Sequence, residues 1–140
     1  MVAGAVLYFY RTSEGLPEKG IFGGVPLRIE YALTPEEREQ GLGGRPEIPE
    51  DYGMLFAFPR DALYGFWMKD TLVPLDIFWL DEEGRVVSMA LEVATSSYPD
   101  VFYPSAPAHY VLETMAGFAR GNSVATGTVL LLKKFPSVLK

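Results

Sequence analysis

The clearest pattern in the chain is the alternation of apolar and polar residues with a period of two, which is typical of strands with one wet face. In residues 25–33, apolar side chains recur at every second position, and Arg28 and Glu30 fall between them. Residues 86–94 alternate in the same way, with Glu92 on the polar side. Both segments are therefore predicted to be strands with one face toward the core.

Residues 75–80 differ because they are apolar on both alternating faces except at Asp76. A strand of this kind is covered on both sides, and a bare carboxylate inside it would cost several kcal/mol. If residues 66–69 run back antiparallel, with Trp67 opposite Phe78, then Lys69 lies opposite Asp76 at roughly 5 Å between Cβ atoms. We therefore predict a Lys69–Asp76 ion pair.

Turn and cap signals place the neighbouring elements. Thr34-Pro35 followed by Glu37 predicts a helix that begins at Pro35 and ends at about Gly41. Residues 81–84 predict a hairpin turn after the apolar strand. Pro59 is predicted to close a short buried strand.

Further strands are predicted at residues 54–58, 110–114 and 128–132, with a helical turn at 116–121 and a long loop at 95–108. So many short strands at close spacing are typical of all-β domains. The predicted fold is an antiparallel β sandwich or barrel of about seven strands with one or two short helices.

The first 24 residues differ in composition from the rest. Residues 2–10 are an apolar run too short to span a membrane, predicted to be an opening strand or packed arm; the alternative is the remnant of a signal or anchor segment. Residues 11–24, with Ser, Gly, Pro and charges, predict a linker or loop. We expect an arm and linker over residues 1–24 and a single β domain over residues 25–140.

The 140-residue chain has a formal net charge of -6 and no cysteine. The acidic balance argues against a nucleic-acid partner, since phosphate binding needs clustered Lys and Arg. A single histidine, His109, cannot by itself form a zinc site, so neither a metal nor a cofactor is expected. The side-chain amides are limited to Gln40 and Asn122 and prolines are frequent, a bias of thermophile proteins.

Several motifs occur in a recognisable order: Gln40-Gly41-Leu42, Gly-Met-Leu-Phe-Ala-Phe at 53–58, Phe-Trp-Met-Lys-Asp-Thr at 66–71, Pro-Leu-Asp-Ile-Phe at 74–78, and Tyr-Val-Leu-Glu at 110–113 followed by Ala-Gly at 116–117. With them, the chain from about residue 25 to residue 132 resembles the bacterial and archaeal domain-of-unknown-function family numbered 192.

This resemblance implies a small, mainly β domain with no agreed biochemical activity. Many members carry an N-terminal export signal, so an extracytoplasmic location, in the periplasm or cell envelope, is favoured over the cytoplasm. The family's recurrent polar positions correspond to Lys69, Thr71, Asp76 and Glu113. Asp70 stands where the family usually has Asn, which puts in doubt a role for an amide after the lysine.

The candidate catalytic residues are Lys69, Asp76 and Glu113, because a desolvated lysine or carboxylate can be tuned toward neutral pH and transfer protons. The structural alternative, which the sequence favours, is a buried ion-pair network that fixes strand register. An enzyme such as a hydrolase or lyase remains the alternative. Ser105 and His109 suggest a nucleophile and a base, but neither a nucleophile elbow nor a third member accompanies them.

The candidate ligand-binding residues combine aromatic faces with polar groups: Trp67, Lys69, Thr71, Tyr98, Tyr103 and His109. Long loops that carry aromatic side chains are often functional, whereas Trp67 taken alone is predicted to be core. We expect a small binding or accessory domain of the cell envelope, with a carbohydrate or peptide held between the 95–108 loop and the central hairpin.

Two partner classes stay open beside this expectation. Membrane contact is expected only through the N-terminal anchor, if that segment is one. A structural role in an envelope assembly is the third alternative, and it would require an exposed edge strand or apolar patch.

Overall fold

The computed structural model describes residues 18–139, which contain seven strands and two short α-helices. The strands are β1 (Glu18–Phe22), β2 (Val25–Ala32), β3 (Tyr52–Ala62), β4 (Leu75–Leu80), β5 (Val86–Val93), β6 (Ala108–Met115) and β7 (Leu131–Leu132). The helices are α1 (Pro35–Gln40) and α2 (Phe118–Gly121), and a 3₁₀ turn covers Thr95–Ser97. None of the helices in this range has the length and apolar character that crossing a bilayer requires.

The strands form one sheet in the order β5-β4-β6-β3-β2-β1-β7, curled into a half-barrel. All neighbours are antiparallel except β2 and β3, which run parallel. Parallel neighbours need a crossover, and here α1 lies in the connection between them. The predicted number of strands and the short helices are confirmed. The sheet is mixed rather than purely antiparallel because of the β2–β3 pair, and the described residues show no sandwich.

The core lies on both faces of this sheet. On one face, called the α2 face, Phe78 and Leu80 of β4 pack with Phe118 of α2. On the other, called the cavity face, Ile77 and Trp79 pack with residues from the connections between strands. Every residue of β4 is buried, as the two-faced apolar pattern predicted.

The local signals for α1 and for the central hairpin are confirmed. The Thr34 hydroxyl accepts the N–H of Glu37, and the Glu37 carboxylate accepts the N–H of Thr34, which is a capping box. At the turn between β4 and β5, the Asp81 carboxylate accepts the N–H groups of Glu83 and Arg85. The first turn of α1 and the β4–β5 turn are therefore both stabilised by side chains that the sequence pattern singled out.

Three boundaries differ from the prediction. The linker predicted over residues 11–24 is wrong at Glu18–Phe22, which forms β1, because Gly23 and Gly24 adopt positive φ and reverse the chain into β2. β3 continues past Pro59 to Ala62, with a register shift in its pairing to β6. The last strand is a short, largely exposed edge strand and is not buried. The arm predicted at residues 2–10 lies outside the described residues.

The predicted pairing of residues 66–69 with β4 is also wrong. β4 is hydrogen-bonded to β5 on one side and β6 on the other, so neither edge is open to a third strand. Phe66 instead forms an isolated bridge with Phe102. Lys69 therefore does not lie opposite Asp76.

Candidate functional site

Asp76 has a structural role on the α2 face. One oxygen of its carboxylate accepts the N–H of Glu92 at 2.8 Å, and the other accepts the N–H of Ala119 at 2.9 Å. Glu92 has a φ of 51° beside a register shift of the β4–β5 pair, and Ala119 belongs to α2. The partners of this carboxylate are thus backbone amides, which fix an irregularity of β5 and the position of α2.

Glu113 lies on the opposite, cavity face, in the middle of the sheet. Its register neighbours are Met54 on β3 and Ile77 on β4, and only 4% of its surface is exposed. Among the described residues, no hydrogen bond or ion pair reaches its carboxyl group. Burial raises the pKa of Glu113 from 4.5 to about 8, so the group holds its proton at neutral pH.

A cavity of about 320 Å³ lies above Glu113. One side is formed by α1 and the turn after it, including Gly41 and Gly43, and the other by residues 64–71. Since the backbone of Glu113 is sealed in the sheet between β3 and β4, the atoms it presents to the cavity are those of its side chain. The cavity floor is therefore a buried carboxyl group without a protein partner.

Aromatic rings form the wall of this cavity. Phe56 and Phe66 meet edge to face with centroids 4.9 Å apart, and Phe58 stacks on Tyr64. Trp67, at the opening, is 39% exposed and lies against Tyr98 at 5.4 Å between centroids. Such rings offer rigid apolar faces at a polar opening.

Cationic side chains line the rim. The Lys69 ammonium lies 5.7 Å from the Trp67 ring and 3.9 Å from the Glu39 carboxylate, a loose and exposed ion pair. Arg38 is held by the carbonyls of Leu33 and Ala57, with its guanidinium over an aromatic ring. Both cations line the cavity that Glu113 closes from below.

The structure brings together only part of the predicted site. Trp67, Lys69 and Thr71 line the cavity with Glu113, whereas Asp76 lies on the other face of the sheet. The prediction that Trp67 is core is wrong, since its ring stands at the opening. The second tryptophan, Trp79, is the buried one.

The predicted loop aromatics do not line the cavity. Tyr98 contacts the Trp67 ring without lining the cavity, and Tyr103 is 66% exposed. The cavity is formed by α1 and residues 64–71, not by the 95–108 loop. The cleft predicted between the 95–108 loop and the central hairpin is therefore not this cavity.

His109 belongs to a separate surface cluster. Its Nδ1 lies 2.7 Å from the Asp61 carboxylate and 3.6 Å from that of Glu82, and one ligand atom from each residue falls within 4.8 Å of the others. Both acids are exposed. Ser105 contacts Ser88 instead, so the two residues considered for nucleophilic chemistry do not hydrogen-bond to each other in the described structure.

The sequence alone did not point to the residues that α1 contributes. Arg38, Glu39 and Gln40 line the cavity although they read as a solvated helix end. Only the resemblance, through the motif that begins at Gln40, contained a signal for them. Asp70 has a φ of 55°, a conformation that Asn and Asp tolerate, which accounts for an Asn or Asp after the lysine without a chemical role.

Fold and site together define a small half-barrel β domain with a polar cavity against one face of its sheet. Residues 20–132 match the family described as Uncharacterized ACR, domain of unknown function 192, and the chain belongs to this family. No curated protein matches the chain significantly.

Two solved structures share this fold. A candidate transcription regulator from Sinorhizobium meliloti 1021 is 30% identical, with a TM-score of 0.75 over 82% of this chain and 91% of that one. A protein of unknown function from Novosphingobium aromaticivorans DSM 12444 is 27% identical, with a TM-score of 0.74 over 86% of this chain and 89% of that one. The fold of this chain is thus shared with these two proteins.

Proposed function

We propose that this domain binds a small carbohydrate in the cavity above Glu113. The observation that carries the proposal is the buried, unpartnered carboxyl group on a cavity floor, beneath aromatic rings. The Glu113 carboxyl group has no hydrogen-bond partner among the described residues, and a ligand hydroxyl in the cavity would supply one. The ring of a sugar offers such hydroxyls together with an apolar face that stacks on an aromatic side chain.

Size and shape support a single ring over an extended peptide. A cavity of about 320 Å³ is at the small end of ligand pockets. Trp67 lines the cavity, is 39% exposed and offers a flat surface for the ring, and its contact with Tyr98 restricts the indole.

The proposal is tested by calorimetric titration of monosaccharides and short peptides into the wild type and Trp67→Leu. Tyr103→Leu is the matched control, because Tyr103 is an exposed aromatic residue outside the cavity lining. We expect a sugar to bind the wild type and the control equally and Trp67→Leu about tenfold more weakly, which corresponds to about 1.4 kcal/mol. If no sugar binds at millimolar concentration, or if a folded Trp67→Leu binds as well as the wild type, the proposal is wrong.

Catalysis is a second candidate, favoured by the proton that Glu113 holds near neutral pH. A carboxylic acid of this kind suits a general acid. With Asp76 on the other face of the sheet, the candidate set reduces to Glu113 and Lys69. Incubation with any sugar that binds separates the two functions: Glu113→Gln would keep binding and lose turnover if the domain were an enzyme.

Transcription regulation, the role given to the S. meliloti relative, finds less support here. The net charge of -6 disfavours contact with phosphates. A cavity with a buried acid also suits a small ligand better than a nucleic acid.

A further inference from the structure

The positive and negative charges that line the cavity do not balance. Lys69 and Arg38 bring two cations to its rim, and Glu39, which lies 3.9 Å from the Lys69 ammonium, is the one carboxylate in the lining apart from Glu113. Glu113 is 4% exposed, lines the cavity, and has no hydrogen-bond partner among the described residues. When Glu113 is protonated, the lining carries an excess of one positive charge and a carboxyl group that has no hydrogen-bond partner among the described residues.

We propose that the ligand of this cavity is an acidic sugar, a uronic acid, whose carboxylate accepts a hydrogen bond from the protonated carboxyl group of Glu113 while Lys69 supplies the countercharge. This inference rests on the proposed function and specifies its substrate class. A neutral sugar would satisfy Glu113 but leave the positive excess unbalanced, and a cationic ligand would face Lys69 and Arg38 as like charges.

The proposal has a pH dependence with a definite sign. Burial raises the pKa of Glu113 to about 8. Below that pH the group donates to the ligand carboxylate; above it, two carboxylates would face each other, and binding weakens. The other ionisable or charged groups that line the cavity are Arg38 and Glu39 from α1, and Tyr64 and Lys69 from the opposite wall; the register neighbours Met54 and Ile77 do not ionise.

The ligand carboxylate would bind as an anion throughout this range. A bound anion also favours the protonated form of Glu113, so binding should take up protons in the pH range where the free protein has begun to lose them. For a site that binds only when Glu113 is protonated, affinity falls about tenfold between about pH 7 and about pH 9.

The test uses glucuronate and glucose, which differ only in a carboxylate against a hydroxymethyl group, in calorimetric titrations of the wild type, Lys69→Met and Glu113→Gln. Lys19→Met is the control for charge, since Lys19 is exposed on β1 and outside the cavity. We expect glucuronate to bind the wild type and the control at least tenfold more tightly than glucose. Lys69→Met should lose most of that preference.

The Glu113→Gln variant tests whether binding depends on the ionisation of Glu113 or only on the size and shape of its side chain. Its amide N–H can still donate to the ligand but cannot ionise, so glucuronate should bind it with the same affinity at about pH 7 and about pH 9, whereas the wild type loses about tenfold.

Equal affinity for glucose and glucuronate would overturn the acidic-sugar inference and leave the proposed carbohydrate function standing. A pH dependence that persists in Glu113→Gln would also overturn it, because the titrating group would then lie elsewhere. Failure of every sugar in the panel would overturn both.

Discussion

Glu30 and Glu113 lie in one cross-strand row on the cavity face, with Met54 between them, yet only Glu30 has protein partners. The Glu30 carboxylate forms a two-pronged ion pair with Arg45 at 2.9 and 3.1 Å and accepts the hydroxyl of Tyr52. The same sheet therefore satisfies one buried carboxylate completely and leaves the other facing a cavity. Because both residues are buried, this contrast gives Glu30 a structural role and leaves Glu113 as the group on which the proposed binding site depends.

The Glu113 carboxyl should make the stability of the protein depend on pH. Its pKa is raised from 4.5 to about 8 in the folded state. The free energy of unfolding should therefore be highest below about pH 4.5 and fall progressively up to about pH 8. The loss has an upper limit of about 5 kcal/mol. Urea unfolding at a series of pH values should show this slope in the wild type and not in Glu113→Gln.

Glu47→Gln is the matched control for that experiment, since Glu47 is exposed and outside the cavity lining. It should retain the slope of the wild type. A wild-type slope that survives in Glu113→Gln would show that another group is responsible.

Asp76→Asn should destabilise the fold without affecting ligand binding. The carboxylate accepts two backbone N–H groups at 2.8 and 2.9 Å, and an amide can accept only one of them while its NH₂ group faces the other. We expect a loss of about 2 to 4 kcal/mol in the free energy of unfolding. Asp100→Asn, at an exposed loop position, should change it by less than about 0.5 kcal/mol. A neutral result at Asp76 would mean that its two hydrogen bonds contribute little.

Arg45→Met should lower the free energy of unfolding because it leaves the Glu30 carboxylate buried without its cation. Breaking a buried ion pair from one side costs about 3 to 5 kcal/mol. The comparison is Arg28→Met, which removes the more exposed ion pair to Asp51 and should cost about 1 kcal/mol or less. Chemical denaturation of both variants measures the difference, and equal costs would contradict the assignment of Arg45 to the core.

The fold was predictable wherever local chemistry decides it. The capping box at Thr34 and Glu37, the turn at Asp81 and the doubly covered strand β4 all follow from short-range rules and are confirmed. The parallel pairing of β2 and β3 was not predictable in the same way, because the chain between them carries only a short helix and no pattern that distinguishes a crossover from a loop.

The site was predictable only in part, for a physical reason. A buried charge must have a partner, but the sequence does not say that a backbone amide can supply it, so Asp76 was assigned to Lys69 when its partners are the N–H groups of Glu92 and Ala119. The position of Glu113 came from the family resemblance. Its isolation is a property of the three-dimensional packing and has no counterpart in the pattern of residues.

The most direct test of this account is an NMR titration of the Glu113 side-chain carboxyl carbon, assigned by its absence in Glu113→Gln, with and without glucuronate. We expect a pKa of about 8 in the free protein and a higher value when the sugar is bound. An ordinary glutamate pKa near 4.5 would show that the carboxyl group is hydrated or paired in solution. A pKa that glucuronate leaves unchanged would show that the ligand does not reach the cavity floor.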